Sequence, residues 1–428
     1  MENCGILIML IKSNGENSME KLYGNAVVGQ SGGPTAAINA TLSGVIRGAL
    51  AGVEKGIIGK VYGMRNGIEG LCEERLVDLG KIFTSEQRFL DLEHTPAAAL
   101  GSCRKKLPNP KDNPLAFEFI IDIFKKYDIR YFFYIGGNDS MDTVMKLSEY
   151  VESIDYDMRV IGVPKTIDND LAGTDHTPGF GSAAKYIATS VKEIICDCAV
   201  YTTKAVTITE IMGRDAGWLT ASAGLARLSG GQGPDYIYLP ERDFDMDSFF
   251  SDIRTALKAH PNVVIAVSEG VKFANGQYVC ENMPGKADAF GHKQLSGTGT
   301  SLAAAVRAEV GCKTRAVEFN TSQRCAAHIA SKTDIKESVA IGKKAVEYAI
   351  KGVSGHVMVY IRSKTGYKIT IDSVPAVDVA NKVRHVPDEF ITPSGNNVTE
   401  KCLEYLRPLI EGEVKYRHEA GLPVHFKI

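Results

Sequence analysis

The chain has 428 residues, with 49 Lys and Arg against 51 Asp and Glu for a formal net charge of −2, and 44% of it is hydrophobic. That balance argues against a nucleic-acid-binding or membrane-surface protein, which would carry a basic excess or patch. The composition is ordinary for a globular chain of two or three domains, and it excludes disorder, collagen-like repeats and small disulfide scaffolds.

Residues 1–18 contain one short apolar run, Gly5 to Ile11, preceded by acid and followed by polar residues. Both flanks are wrong for a signal peptide and the run is too short to span a bilayer. The stretch therefore reads as a poorly ordered extension, with Met19 opening the domain. Short apolar runs then alternate with helical patterns. Leu22 to Val28 reads as a strand, Gly29-Gln30-Ser31-Gly32-Gly33 as a turn, and Pro34 to about Leu50 as a helix, because Pro suits a first helical position. The same order returns with Tyr131 to Ile135, Gly136-Gly137-Asn138-Asp139, and a helix from Ser140. Further strands are expected at Val160 to Val163, Val206 to Ile211, Tyr236 to Leu239 and Val263 to Val267, with helices near 181–200, 215–228 and 246–259. Nearly continuous apolar strands alternating with helices predict α/β architecture with largely parallel sheets, ligands binding at the carboxyl ends of the strands. After about Val353 two adjacent strands, Val357 to Ile361 and Tyr367 to Ile371, and a helix near Val398 to Ile410 read as an added hairpin and cap.

The 42 glycines, above the usual share of about 7%, cluster where chemistry is expected. Gly29-x-Ser31-Gly32-Gly33 lies between a strand and a helix, where amides can face an anion and absent side chains let a phosphate approach. It lacks the Lys of a P-loop and the G-x-G-x-x-G spacing, and a structural turn fits it equally. Gly136 to Ser140 repeats that context. Pro164-Lys165-Thr166-Ile167-Asp168-Asn169-Asp170 follows another strand; its two carboxylates and Lys can supply a base, a metal ligand and a phosphate-binding cation, or form an Asx-rich turn. In Glu210 to Gly217, Gly213 beside Arg214 suits a guanidinium held against phosphate, a surface ion pair being the alternative. Arg104, Lys105 and Lys106 form a short basic cluster. Nine scattered cysteines with no C-x-x-C read as unpaired thiols in a reducing cytoplasm. No histidine pair has zinc-binding spacing.

Together these segments resemble the phosphofructokinase family from about Leu22 to Arg324, with weaker likeness to the C-terminus. The matching text is SGGPTAAINA (31–40), GSCR (101–104), IGGNDS (135–140), PKTIDND (164–170), GTDHTPGFGSA (173–183), EIMGR (210–214), SEG (268–270), TRA (314–316) and QR (323–324). The resemblance implies two three-layer Rossmann-like lobes with the active site in the cleft between them. Residues 19–180 with about 322–355 would bind diphosphate and Mg²⁺, about 181–321 fructose 6-phosphate, and about 356–428 would form the C-terminal extension. ATP users of the family carry Gly where this chain has Asp139 and Lys165, so the resemblance points to the diphosphate-dependent branch, an ATP-dependent enzyme or a non-catalytic regulatory subunit being the alternatives. The implied reaction is reversible transfer from diphosphate to the 1-hydroxyl of fructose 6-phosphate, giving fructose 1,6-bisphosphate and phosphate.

Carried over by residue, Asp168 would be the base, with Lys165, Asp139 and Arg214 also catalytic. Gly32, Gly33, Arg104, Asn138 and Ser140 would bind diphosphate. Thr166, Ile167, Asp168, Met212, Gly213, Arg214, Glu269, Arg315 and Arg324 would bind the sugar phosphate, and Asn138 and Asp170 the metal. Thr321 replaces a family His near the sugar. Ser43 replaces an effector-site Arg while Arg47 remains, so a nucleotide-effector pocket looks incomplete. A homodimer or homotetramer in the cytoplasm is expected, without nucleic acid or membrane partners.

Overall fold

The computed structural model describes residues 22–280 and 297–428; the extension expected over residues 1–18 lies outside the described residues. Two sheets carry the fold. The larger is built from β1 (Gly24–Gln30), β2 (Ile58–Met64), β3 (Leu76–Asp78), β4 (Ile129–Gly136), β5 (Arg159–Pro164), β10 (His356–Arg362) and β11 (Ile369–Pro375). Its order is β11-β10-β5-β4-β1-β2-β3, with only the two edge strands antiparallel to their neighbours. The smaller comprises β6 (Ala205–Ile211), β7 (Tyr236–Tyr238), β8 (Asn262–Ser268) and β9 (Lys313–Glu318) in the order β7-β8-β6-β9, all parallel.

The apolar runs explain the layering. In β1, Val28 packs with helices Ile38–Glu54 and Lys332–Ile350, while its neighbour Val27 packs on the opposite face with helices Pro114–Lys126 and Asn138–Ser153. Because alternate side chains point to opposite faces, a strand buried on both sides has to be apolar throughout. The smaller sheet repeats this: helix Phe180–Ala199 and Trp218 cover one face, and helices Met246–Ala259 and Thr298–Val310 the other.

Several expected boundaries move. The first helix starts at Ile38, not Pro34; Thr35 Oγ1 accepts from the Ala37 amide at 3.2 Å, keeping residues 31–37 as a loop. The helix expected over 215–228 is a short one, Trp218–Ala221, followed by a 3₁₀ segment, Ser222–Arg227. The helix near 398–410 spans Glu400–Leu406, opened by Thr399 accepting from the Cys402 amide, and ends in a 3₁₀ turn. The hairpin read as an added unit is part of the large sheet, since β10 pairs in parallel with β5.

Helices Ile38–Glu54 and Lys332–Ile350 approach until their backbones touch. A Cβ on Gly44 would stand 2.1 Å from the Val339 carbonyl oxygen, and one on Gly342 would stand 2.3 Å from that of Thr41. Helix propensity alone would make Gly44→Ala stabilising by about 1 kcal/mol. The backbone contact reverses the sign: Gly44→Ala should cost about 1–3 kcal/mol by overpacking, read as a lower urea midpoint. An unchanged or raised midpoint would show that the pair accepts wider spacing.

Candidate active site

The carboxyl ends of β1, β4 and β5 face those of β6 and β8 across a cavity of about 310 Å³. After β1 the chain turns at Gly32, whose φ of 75° suits glycine. The Gly32 amide donates to the Cys103 carbonyl at 3.2 Å and its carbonyl accepts from Ser102 Oγ at 2.6 Å, which fixes the segment carrying Arg104 beside this loop. Gly33 leaves room for a guanidinium: a Cβ there would lie 3.3 Å from an Arg324 nitrogen. After β4, Asn138, Asp139 and Ser140 form the first turn of their helix. After β5, Lys165 is 2% exposed and its ammonium donates to the Gly33 carbonyl.

The next turn sets the two carboxylates. Thr166 Oγ1 accepts from the Asp168 amide at 3.1 Å and donates to Asp168 Oδ2 at 3.3 Å. Asn169, fully buried, lies at φ 55°, a left-handed conformation that Asn tolerates better than most residues. Its Oδ1 accepts from the Thr177 amide at 3.0 Å. From the small sheet, the Met212 amide donates to Gln323 at 3.0 Å and the Gly213 amide to Glu269 Oε1 at 3.4 Å, while Ser268 Oγ donates to the Gly213 carbonyl. Arg214, Asp215, Glu269 and Arg324 complete the lining.

Burial shapes the charges. It pushes Lys165 down to about 8 against the pull of Asp168. It raises Asp168, opposed by Lys165 and the Thr166 hydroxyl. Asp170 rises to about 7 through burial and the nearby Asp168, and Glu269 to about 8 for the same two reasons. Carboxylates crowded this way favour a cation between them. Asp168 and Asp170 offer hard oxygen donors, yet no cluster of three or more His, Cys, Asp or Glu able to hold a metal occurs among the described residues. That donor set fits an ion that keeps water and phosphate oxygens in its shell, as Mg²⁺ does.

Asn138 is a correction. Its Oδ1 accepts from the Asn381 amide at 2.5 Å and its Nδ2 donates to the Lys382 carbonyl at 2.9 Å, so the side chain holds a C-terminal segment and leaves the metal set. Arg315 is another. It lies exposed on β9 with its guanidinium 3.5 Å from Asp197, lining a separate depression with Cys198 and Lys313. All the other expected site residues except Gly213 line the cavity, and Gly213 is held at its edge through Glu269. Pro34 and Thr35 also line it, as do Ser31, Gly137 and Asp215, which belong to the glycine-rich and Glu210–Gly217 segments but carried no individual role. Pro34 and Thr35 were hidden by the helix reading, and Asp215 had only its adjacency to Arg214 as a signal. Lys106 pairs with Asp139 at 2.8 Å. Away from the cavity, Ser43 Oγ donates to Glu93 at 2.6 Å, and Arg47 is held by Glu86 and Glu93 at 2.6 and 3.2 Å.

A family model described as Phosphofructokinase matches residues 25–349. The chain is 42% identical over 402 residues to a pyrophosphate–fructose 6-phosphate 1-phosphotransferase of Halomonas elongata, covering 93% of this chain and 94% of that one. An enzyme of the same name from Xanthomonas campestris is 43% identical over 413 residues, covering 95% and 96%. The crystal structure of a pyrophosphate-dependent phosphofructokinase from Nitrosospira multiformis superposes with a TM-score of 0.85 at 38% identity, covering 95% of this chain and 96% of that one.

The raised Glu269 makes folding pH-dependent. Between its unfolded value near 4.5 and its folded value of about 8, the folded chain holds a proton that the unfolded chain releases, so stability falls as pH rises through that window. Glu269→Gln keeps the shape and removes the titration. Melting temperatures of the ligand-free, metal-free protein at pH 5, 6.5 and 8 should fall less steeply in the variant. Parallel curves for parent and variant would place the burden on another group.

Proposed function

The chain belongs to the phosphofructokinase family, and from that premise we propose that it transfers a phosphoryl group reversibly between diphosphate and the 1-hydroxyl of fructose 6-phosphate, giving fructose 1,6-bisphosphate and phosphate. The observation that carries this reading is the meeting of Asp139, Lys165 and Asp168 in one cavity, the first two at positions where ATP-using relatives carry Gly. Relatives bearing the diphosphate-dependent name match along nearly their whole length.

Phosphoryl transfer asks for alignment and charge neutralisation more than for covalent chemistry. Asp168, its proton affinity raised by burial, accepts the proton of the sugar 1-hydroxyl. That oxygen bonds to the terminal phosphorus of diphosphate as the bridging P–O bond breaks and phosphate departs. Lys165 and Arg104 answer the transferred group with positive charge, and Gly32 and Gly33 let it come close to the backbone. Thr166, Ile167, Met212, Gly213, Arg214, Glu269 and Arg324 hold the sugar phosphate. Enzymes of this family use a divalent metal; here Mg²⁺ held by Asp170 would neutralise diphosphate oxygens when bound.

Arg315 faces away from its own cavity, so it can serve a sugar phosphate only in the cavity of a second copy. A homodimer or homotetramer therefore belongs to the proposal, and the unpaired cysteines of the described residues support a reducing cytoplasm as its location. Among the described residues no helix is long and apolar enough to cross a membrane.

Purified protein with fructose 6-phosphate and Mg²⁺ should turn over diphosphate in strong preference to ATP. Asp168→Ala should fold and lose about 10²- to 10⁴-fold in kcat in both directions; activity within a few-fold of the parent would move the base elsewhere.

Donor choice is tested by Asp139→Gly, Lys165→Gly and the double change. Asp139→Gly should admit some ATP and weaken diphosphate use. Lys165→Gly should damage diphosphate turnover with little gain for ATP, and the double change should favour ATP more than either, since neighbouring sites couple. An unmoved ratio of kcat/KM between donors in the double variant would assign donor choice to other residues.

A further inference from the structure

One segment, residues 381–386, reaches every loop that builds the cavity from β4, β5 and β6. Asn381 and Lys382 bond the side chain of Asn138. Val383 bridges to Leu171. His385 Nδ1 lies 2.9 Å from the Asp215 carbonyl. The Val386 amide donates to Glu241 Oε1 at 2.9 Å, the same oxygen that accepts from the Gly217 amide at 2.8 Å.

Arg384 lies at the centre. Its amide donates to the Asp170 carbonyl at 2.7 Å and its guanidinium to the Asn169 carbonyl at 2.9 Å. Its own carbonyl accepts from the Trp218 indole at 2.9 Å, and its guanidinium carbon stands 4.2 Å over that ring. The residue thus grips both carbonyls of the left-handed turn between the two site carboxylates and anchors them to an indole of the other lobe. A left-handed Asn costs free energy and persists only where its surroundings over-determine it.

We propose that Arg384 is a positioning residue: through Asn169 and Asp170 it fixes the turn from which Asp168 meets the sugar hydroxyl. The inference rests on reading Asp168 as the base. Arg384 meets the cavity lining named above through that backbone and through its charge, which faces the Asp170 carboxylate, and it is not itself among the lining, so its loss should misplace the reacting groups rather than remove a substrate contact.

The test compares parent, Arg384→Met, Arg384→Lys and Asp168→Ala with diphosphate and fructose 6-phosphate. Misplacement of a catalytic group lowers kcat by about 10- to 100-fold in Arg384→Met, with both KM values within about threefold. Arg384→Lys keeps a donor for the Asn169 carbonyl and a cation over the indole, and it should recover part of that loss. A kcat within about twofold of the parent in Arg384→Met, a loss confined to KM, or no recovery with lysine overturns the proposal. If Arg384→Met does not fold, Trp218→Phe decides: it removes the indole bond to the Arg384 carbonyl, and an unchanged kcat overturns the proposal while a fall of about threefold or more at constant KM supports it. Asp168→Ala separates the two readings. An active Asp168→Ala fails the assignment of the base, whereas an inactive one beside a parent-like Arg384→Met fails only this inference.

Discussion

Asp168 and Asp170 stand half-buried on either side of one buried residue, Asn169, and the cost of crowding two carboxylates into that cleft organises the surrounding structure. Two ionised carboxylates in a low-dielectric cavity would take up protons unless cations or hydrogen bonds answered them. Lys165 answers from the same loop, and is itself buried so deeply that its ammonium is weakened. Arg214 answers from the loop after β6 and Arg324 from the short helix after β9, both following strands of the small sheet. Neither lobe has a balanced set alone, so the chemistry depends on the two sheets meeting at their carboxyl edges.

The backbone delivers these groups through bonds that leave little freedom. The Lys165 amide donates to the Gly136 carbonyl at 2.9 Å, continuing the pairing of β5 with β4 beyond the strand ends. Thr177 Oγ1 donates to the Thr166 carbonyl at 2.8 Å while its amide holds Asn169. Next to Thr177, the buried ring of His176 joins Asp175 and Glu337 at 2.8 Å each and stacks on Tyr360. Those hydrogen bonds raise its proton affinity although burial alone would lower it. The turn bearing the carboxylates is therefore tied to β10 and to helix Lys332–Ile350, elements that return to the large sheet after the chain has completed the small one.

The parts most legible in the sequence were those where local chemistry and local geometry coincide. Lys165, Thr166, Asp168 and Asp170 sit in one loop, directly after a strand apolar enough to be recognised, and the structure brings all four into the cavity. Helix Met246–Ala259 was legible because Phe249, Ile253 and Leu257 repeat at helical spacing on a polar background. Pro34 misled because its fitness for a helix start is a preference, and Thr35 satisfies the Ala37 amide in another way. Asn138 misled because its partners lie 243 residues on, where no periodicity announces them. Arg384 was invisible for the same reason. Its segment has neither strand nor helix pattern, and its role consists of backbone bonds to residues some two hundred positions earlier.

For the donor choice proposed here, the structure changes the physics assigned to Asp139. Where ATP users carry Gly, a carboxylate at Asp139 would oppose the α-phosphate of ATP by like charge and by bulk. Its oxygen instead lies 2.8 Å from the Lys106 ammonium, and the side chains are 32% and 47% exposed. Such a pair is screened, and its own stability is only about 0–1 kcal/mol. It nevertheless sets a positive charge against the carboxylate that would have opposed an incoming phosphate, so bulk takes a larger share of the barrier than the sequence alone implies. The pair also spans from the loop carrying Arg104 to the start of helix Asn138–Ser153. A donor longer than diphosphate would have to part these two walls. In the proposed reading diphosphate stops short of them and gains the charge of Lys165, which lines the same cavity. Discrimination of this kind is built from an obstacle to the wrong ligand together with a contact for the right one, and in that reading Asp139 and Lys165 divide the two tasks between them.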